Sequence, residues 1–295
     1  MLGAIAGDYV GSKWEFSPTK EMDFELMSDE CRITDDTVMT IAIADALLAK
    51  GNDVTADDFR VSMVKYGLEN IDAGYGMHFL QWLLEGGSEP YGSAGNGSCM
   101  RVSPVAWFGR DLVDVARIAA LSAAPSHNHR DGIRGAVAVA VATRMALEGW
   151  GADYVSHHIN RLYGYTLDIP TENIRPHYRF MVLASNSAPP AIRCALEAWG
   201  DWEGSVRRAV SLGGDADTMA AIAGGIAEAA AVSDGRPGVP AHVAIRVRSS
   251  LPESLGTVFD AFMTHTEGYR PRKTNIGDVE TMLPENDRDE DGFLK

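Results

Sequence analysis

Two short segments concentrate oxygen donors beyond what their surroundings require. Ile33-Thr34-Asp35-Asp36-Thr37 places adjacent carboxylates between two threonines, directly before an apolar helical pattern. Leu212-Gly213-Gly214-Asp215-Ala216-Asp217-Thr218 does the same at the start of another, with two glycines that permit close backbone approach. Either segment alone reads as a helix cap, where a side-chain oxygen accepts from an orphan N–H and acidic residues meet the dipole favourably. Together they supply four carboxylates, which repel one another unless cations neutralise them. The donors are hard oxygens, so the pattern selects Mg²⁺, Mn²⁺ or Ca²⁺ over zinc, and four carboxylates suit two ions. Convergence of segments from both ends of the chain on one site favours a single domain.

A third segment, Gly92-Ser93-Ala94-Gly95-Asn96-Gly97-Ser98-Cys99-Met100-Arg101, is glycine-rich and leads into a helical pattern. Such runs can be plain flexible loops, or can aim backbone N–H groups at phosphate. It matches neither the dinucleotide fingerprint nor the P-loop, so those folds are not implied. In Ser126-His127-Asn128-His129 the two histidines are spaced i, i+2 and cannot share a helix face, which argues against zinc; contact of His127 with a ligand is the better reading. The acidic run Asp287–Gly292 resembles the start of a calcium loop but lacks its closing glutamate, so it reads as a solvated tail.

The elements that must position these groups are helical. Apolar residues recur at helical spacing over Thr37–Lys50, Thr55–Tyr66, Gly76–Glu85, Leu112–Ala123, Gly132–Glu148, Asp153–Tyr163, Pro190–Trp199, Glu203–Leu212, Asp217–Val232 and Glu253–Thr264, whereas strand patterns are nearly absent. An all-α fold follows, its many Ala and Gly residues implying close helix packing. Gly7–Asp36, Glu85–Pro104, His127–Gly132 and Leu212–Asp217 read as irregular, and polar loops between periodic helices are where function concentrates.

The 295 residues carry 26 Lys and Arg against 41 Asp and Glu, a net charge of −15 that disfavours nucleic acid and anionic membrane as partners. Apolar stretches fall short of the ~20 residues that span a bilayer, and the N-terminus lacks the basic region of a signal peptide. Three dispersed cysteines indicate neither a disulfide framework nor a zinc site. The expectation is a cytoplasmic monomer.

Gly3-Ala-x-x-Gly7-Asp8-x-x-Gly11-x-x-x-Glu15, Thr34-Asp35-Asp36-Thr37, Gly95-Asn96-Gly97-x-x-Met100-Arg101, Ser126-His127-Asn128-His129 and Gly213-Gly214-Asp215-Ala216-Asp217-Thr218 occur in that order. The combination resembles the ADP-ribosylglycohydrolase family, over about residues 1–265. The resemblance implies a compact orthogonal helical bundle. Residues 1–268 would form one catalytic domain and 269–295 an acidic, extended or disordered tail. It also implies two Mg²⁺ or Mn²⁺ ions held by Thr34, Asp35, Asp36, Asp215, Asp217 and Thr218. Glu15 matches an acidic residue that approaches the metals or gates the cleft. Gly92, Ser93, Gly95, Asn96 and Gly97 match the loop that contacts diphosphate and ribose, and His127 matches a position near the distal part of the ligand. Many relatives carry Tyr or Trp where this chain has Ala94.

The activity so implied is hydrolysis of the C1″ glycosidic bond of ADP-ribosylated protein, with arginine as the expected acceptor and ADP-ribose as product. Asp36, Asp217 and Glu15 are the expected catalytic carboxylates, with Glu15 or Asp36 positioning or deprotonating the water. The alternatives are serine-linked, small-molecule or nucleic-acid conjugates, or a non-catalytic ADP-ribose-binding protein; a pseudoenzyme should have lost metal ligands, and this chain keeps all six.

Overall fold

Gly3, Gly7 and Gly11 recur every fourth residue and give the first helix, α1 (Leu2–Gly11), a face without side chains. In the computed structural model, which describes residues 1–274, that face lies directly on α12 (Ala216–Ser233). A Cβ added at Gly7 would sit 2.1 Å from the Ala220 carbonyl oxygen, closer than any side chain permits. The approach overrides the low helix propensity of glycine, and turns the segment from Gly7 onward, read above as irregular, into helix as far as Gly11.

Among the described residues there are fourteen α-helices, two short 3₁₀ helices (Gly51–Asp53 and Ser103–Trp107) and no strand. The remaining twelve are α2 (Asp35–Lys50), α3 (Ala56–Glu69), α4 (Met77–Leu84), α5 (Gly97–Met100), α6 (Leu112–Ala123), α7 (Arg130–Leu147), α8 (Ala152–Tyr163), α9 (Thr171–Ile174), α10 (Ala184–Glu197), α11 (Trp202–Ser211), α13 (Ala241–Ser250) and α14 (Glu253–Thr266). Helix α12 is the central pillar: every residue from Ala216 to Ala231 is buried, and α1, α7, α10 and α11 pack around it. Its alanines and glycines let four neighbours approach closely. The carboxylates at its N-terminus thereby come to the middle of the molecule.

Helix α10 begins at Ala184, six residues before the expected start, and contains Pro189 and Pro190. Proline lacks an N–H, so Pro190 leaves the carbonyl of Asn186 without its helical donor. The Tyr178 hydroxyl donates to that carbonyl at 3.0 Å, which removes much of the penalty. Helix α7 starts at Arg130, two residues early, because His129 caps it: its Nδ1 accepts from the Asp131 N–H at 3.1 Å. Helix α13 has no counterpart among the segments read from spacing.

No helix among the described residues is long and apolar enough to cross a membrane. Cys31, Cys99 and Cys194 are buried and unpaired. Fully buried Arg144 donates to Glu148 at 2.8 Å and to the carbonyls of Ala106, Gly109 and Arg110. The same pair holds the segment after α14: Arg144 bonds the Tyr269 hydroxyl, and Glu148 accepts from the Thr274 N–H and hydroxyl. The acidic run Asp287–Gly292 lies outside the described residues.

Candidate functional site

The two helix starts rich in acid and threonine meet at the floor of one open cavity. Thr34 caps α2, its hydroxyl accepting from the Asp36 N–H, so the capping role holds for that residue. Asp35 and Asp36 then turn into the cavity, facing Asp215, Asp217 and Thr218 from the start of α12. Glu15, in the loop after α1, completes the cluster. Carboxylate oxygens of Glu15, Asp215 and Asp217 all lie within 4.8 Å of one another. The Thr218 hydroxyl is 3.4 Å from Asp36 Oδ2, while the buried Asp36 Oδ1 has no hydrogen-bond partner.

So many carboxylates in a buried space raise one another's pKa. Burial, then the charge of Asp217, pushes Glu15 and Asp35 up to about 8, and moves Asp36 and Asp215 well above the carboxylate range. Such a site is poorly stabilised by protein alone. Hard-oxygen donors, an orphaned buried oxygen and mutual repulsion together fit divalent cations.

Asp8 is the residue that spacing did not single out. A lone carboxylate inside an apolar helix, it accepts from the Thr34 N–H at 3.1 Å, the Thr34 hydroxyl at 2.8 Å, the Thr37 N–H at 3.1 Å and the Thr37 hydroxyl. Burial and Asp217 hold its pKa up at about 7 despite these donors. Asp8 thus pins the start of α2 to α1. The sequence signals were its place in the Gly7-Asp8 motif, which assigned it no role, and a charged residue in an otherwise apolar helix. Thr34 is correspondingly turned toward Asp8 and lies outside the cavity lining.

The glycine-rich loop forms the adjoining wall. Ser93, Gly95, Asn96 and Gly97 line the cavity, whereas Gly92 (φ 69°) turns the chain behind it. Several of the loop's N–H groups are already committed: Ser93 to the Ser126 carbonyl, Gly95 to Ser93 Oγ and Asn96 to the Val182 carbonyl. A phosphate cradle made of backbone N–H groups is therefore smaller than the loop's composition suggests. Cationic and neutral side-chain donors stand near instead. Arg101 and His127, both buried, line the same wall. Burial lowers Arg101 to about 10, which leaves it charged, while burial and Arg101 hold His127 well below its usual value.

The cavity encloses about 480 Å³, within the range of small-molecule sites. Its mouth carries exposed aromatic groups: Phe16 and Phe180 stack with centroids 6.5 Å apart beside Glu15, and Tyr91 stands 6.3 Å from the His127 ring. None of these rings was identified from the sequence, because isolated aromatics in loops carry no periodic signal.

A family model described as ADP-ribosylglycohydrolase matches residues 1–268. ADP-ribosylhydrolase ARH3 of Homo sapiens is 26% identical, the match covering 78% of this chain and 83% of that protein. ADP-ribosylarginine hydrolase Tri1 of Pseudomonas putida (strain GB-1) is 25% identical over 80% of this chain and 71% of its own. A solved structure, "ADP-ribosylglycohydrolase-related protein complex", shares the fold with a TM-score of 0.64 at 22% identity, covering 90% of this chain and 97% of that one.

Proposed function

The chain belongs to the ADP-ribosylglycohydrolase family, and on that premise we propose that it hydrolyses the C1″ glycosidic bond of protein ADP-ribosylated on arginine, releasing ADP-ribose. The observation that carries this reading is the meeting of Glu15, Asp35, Asp36, Asp215 and Asp217 at the floor of a cavity walled by Gly95–Gly97, Arg101 and His127. Asp35, Asp36, Asp215, Asp217 and Thr218 would hold two Mg²⁺ or Mn²⁺ ions. Thr34 acts behind them by fixing Asp8 and the start of α2. Bound divalent ions supply Lewis-acid polarisation and neutralise the clustered carboxylates.

The remaining chemistry falls to side chains. Glu15, the half-buried member of the cluster, orients the attacking water and takes its proton, with Asp36 on the buried side of the same space. The C1″–N bond breaks, the water oxygen bonds to C1″ and the proton passes to the leaving guanidine. Asp217 stands central to the cluster, so its charge governs the others. Ser93, Gly95, Asn96, Gly97 and His127 contact the nucleoside-diphosphate part.

Arginine is favoured as acceptor by the mouth. A planar cation suits the carboxylate of Glu15 flanked by the Phe16–Phe180 pair, where attraction to the ring faces adds to ionic pairing. The protein's net charge of −15 acts in the same direction. The test is ADP-ribose release from matched peptides modified on arginine and on serine. Release from the arginine peptide alone is expected. Preference for the serine peptide would overturn the acceptor and keep the reaction, while binding of ADP-ribose without release from either would make the protein a reader.

A further inference from the structure

His127 lies in the cavity wall, but its ring is governed from behind. The Arg101 guanidinium donates through Nη2 to the Ser122 carbonyl at 2.9 Å and to Ser126 Oγ at 2.9 Å. Ser126 Oγ lies 2.8 Å from His127 Nδ1. All three side chains are buried, with Arg101 at 1% and Ser126 at 0% exposure. A hydroxyl has one proton to give. Because Oγ already accepts from Arg101, and Nδ1 is its one acceptor partner among the described residues, its proton goes to the histidine. The reverse arrangement, with Nδ1–H donating to Ser126, would leave a buried hydroxyl proton unsatisfied, which is costly.

We infer that Arg101 and Ser126 are positioning residues that lock His127 as the neutral Nε2–H tautomer, making it a fixed hydrogen-bond donor to an oxygen of the nucleoside-diphosphate ligand rather than an acid or base. Nε2 faces the Gly95–Gly97 backbone: a Cβ at Gly97 would lie 3.3 Å from it and one at Gly95 3.6 Å. Side chains there would cover the nitrogen, so the two glycines keep its face open to the cavity. The low pKa of the ring, set by burial and then Arg101, agrees with a neutral imidazole. The Arg101 charge reaches the ligand partly through this chain of bonds, since a donor polarised from behind donates more strongly. The tautomer is a property of the free protein; its use toward ADP-ribose rests on the proposed function.

The test uses the full chain with ¹⁵N-labelled histidine and Mg²⁺, in long-range ¹H–¹⁵N spectra, His127 being assigned by its loss in His127→Gln. The expected result is a neutral ring protonated at Nε2 between about pH 6 and 8, the range in which an unperturbed histidine would titrate. Ser126→Ala should admit the Nδ1–H form and weaken ADP-ribose binding by about tenfold, the worth of one good hydrogen bond. Glutamine can place an N–H where Nε2 stands and asparagine cannot, so His127→Gln should bind within about threefold of the parent and His127→Asn about tenfold or more weaker. A ring protonated at Nδ1 or at both nitrogens, an unchanged tautomer in Ser126→Ala, or equal losses in the Gln and Asn variants would overturn the inference. Absence of hydrolysis with ADP-ribose binding and tautomer intact would refute only the reaction assigned above.

Discussion

Asn96 Nδ2 donates to Asp215 Oδ2 at 2.7 Å across 119 residues of chain, and to Ser187 Oγ at 3.1 Å. The glycine-rich loop is thereby fastened to the carboxylate cluster, so a residue that matches the ligand loop also supports Asp215, one of the aspartates proposed to hold metal. Asn96→Ala should weaken Mg²⁺ binding by about 10- to 100-fold, as loss of groups that orient metal ligands generally does. Calorimetric titration with Mg²⁺ measures this directly. Unchanged Mg²⁺ affinity would place Asn96 with the ligand alone.

Asp217 raises the pKa of Asp8, Glu15, Asp35, Asp36 and Asp215, so it is the hub of the repulsion. Asp217→Asn should lower turnover by about two to four orders of magnitude. The metal-free variant should nevertheless melt above the metal-free parent, and Mg²⁺ should stabilise it less. Circular dichroism melts with EDTA and with Mg²⁺ check the crossing of the two orders.

The metal-free protein has a pH dependence of fixed sign. Carboxylates in the unfolded chain titrate near about 4, whereas Asp8 titrates at about 7 and Glu15 and Asp35 at about 8 in the fold. Between those limits the folded state binds more protons, so their stabilising contribution is complete below about pH 4 and is lost as pH rises toward about 8. Bound Mg²⁺ needs deprotonated ligands, so the increment it adds should grow with pH. Melting temperatures with EDTA should fall from about pH 5.5 to 8, and the Mg²⁺-induced rise should be larger at the upper end. A stability independent of pH in EDTA would contradict the buried cluster.

Gly7→Ala tests the contact that builds the site. Its Cβ would meet the Ala220 carbonyl at 2.1 Å, so α1 must move off α12. Overpacking of this kind costs about 1–3 kcal/mol, and the shift would carry Asp8 away from Thr34 and Thr37. Loss of stability should come with weaker Mg²⁺ binding; loss of stability alone would separate α1 from the site.

Tyr178 and Pro190 form a testable couple. Tyr178→Phe removes the donor to the Asn186 carbonyl and should cost about 1–2 kcal/mol. Pro190→Ala restores the helical N–H, so Tyr178→Phe should cost less in that background. A double-mutant cycle by chemical denaturation measures the coupling, and additive effects would refute the compensation.

The helix inventory was legible because most helices bury one regular face: Leu112–Ala123 has the bounds that spacing predicts. What escaped obeys tertiary demands. Helix α1 carries three glycines that spacing rules treat as breakers, and α10 runs through Pro190 because Tyr178, outside the helix, satisfies the carbonyl left bare. Within the site, Asp35, Asp36, Asp215, Asp217 and Thr218 could be read from paired acidic helix starts. Asp8 and the Arg101–Ser126–His127 chain could not, since their meaning lies in partners far away in sequence or in which atom donates.

The most direct measurement is hydrolysis of an arginine-ADP-ribosylated peptide by the metal-stripped protein as Mg²⁺ is added back, with Asp217→Asn alongside. The account predicts no release in EDTA, release that saturates with Mg²⁺, and near-complete loss in the folded variant. Release that persists in EDTA, or full turnover by Asp217→Asn, would contradict it.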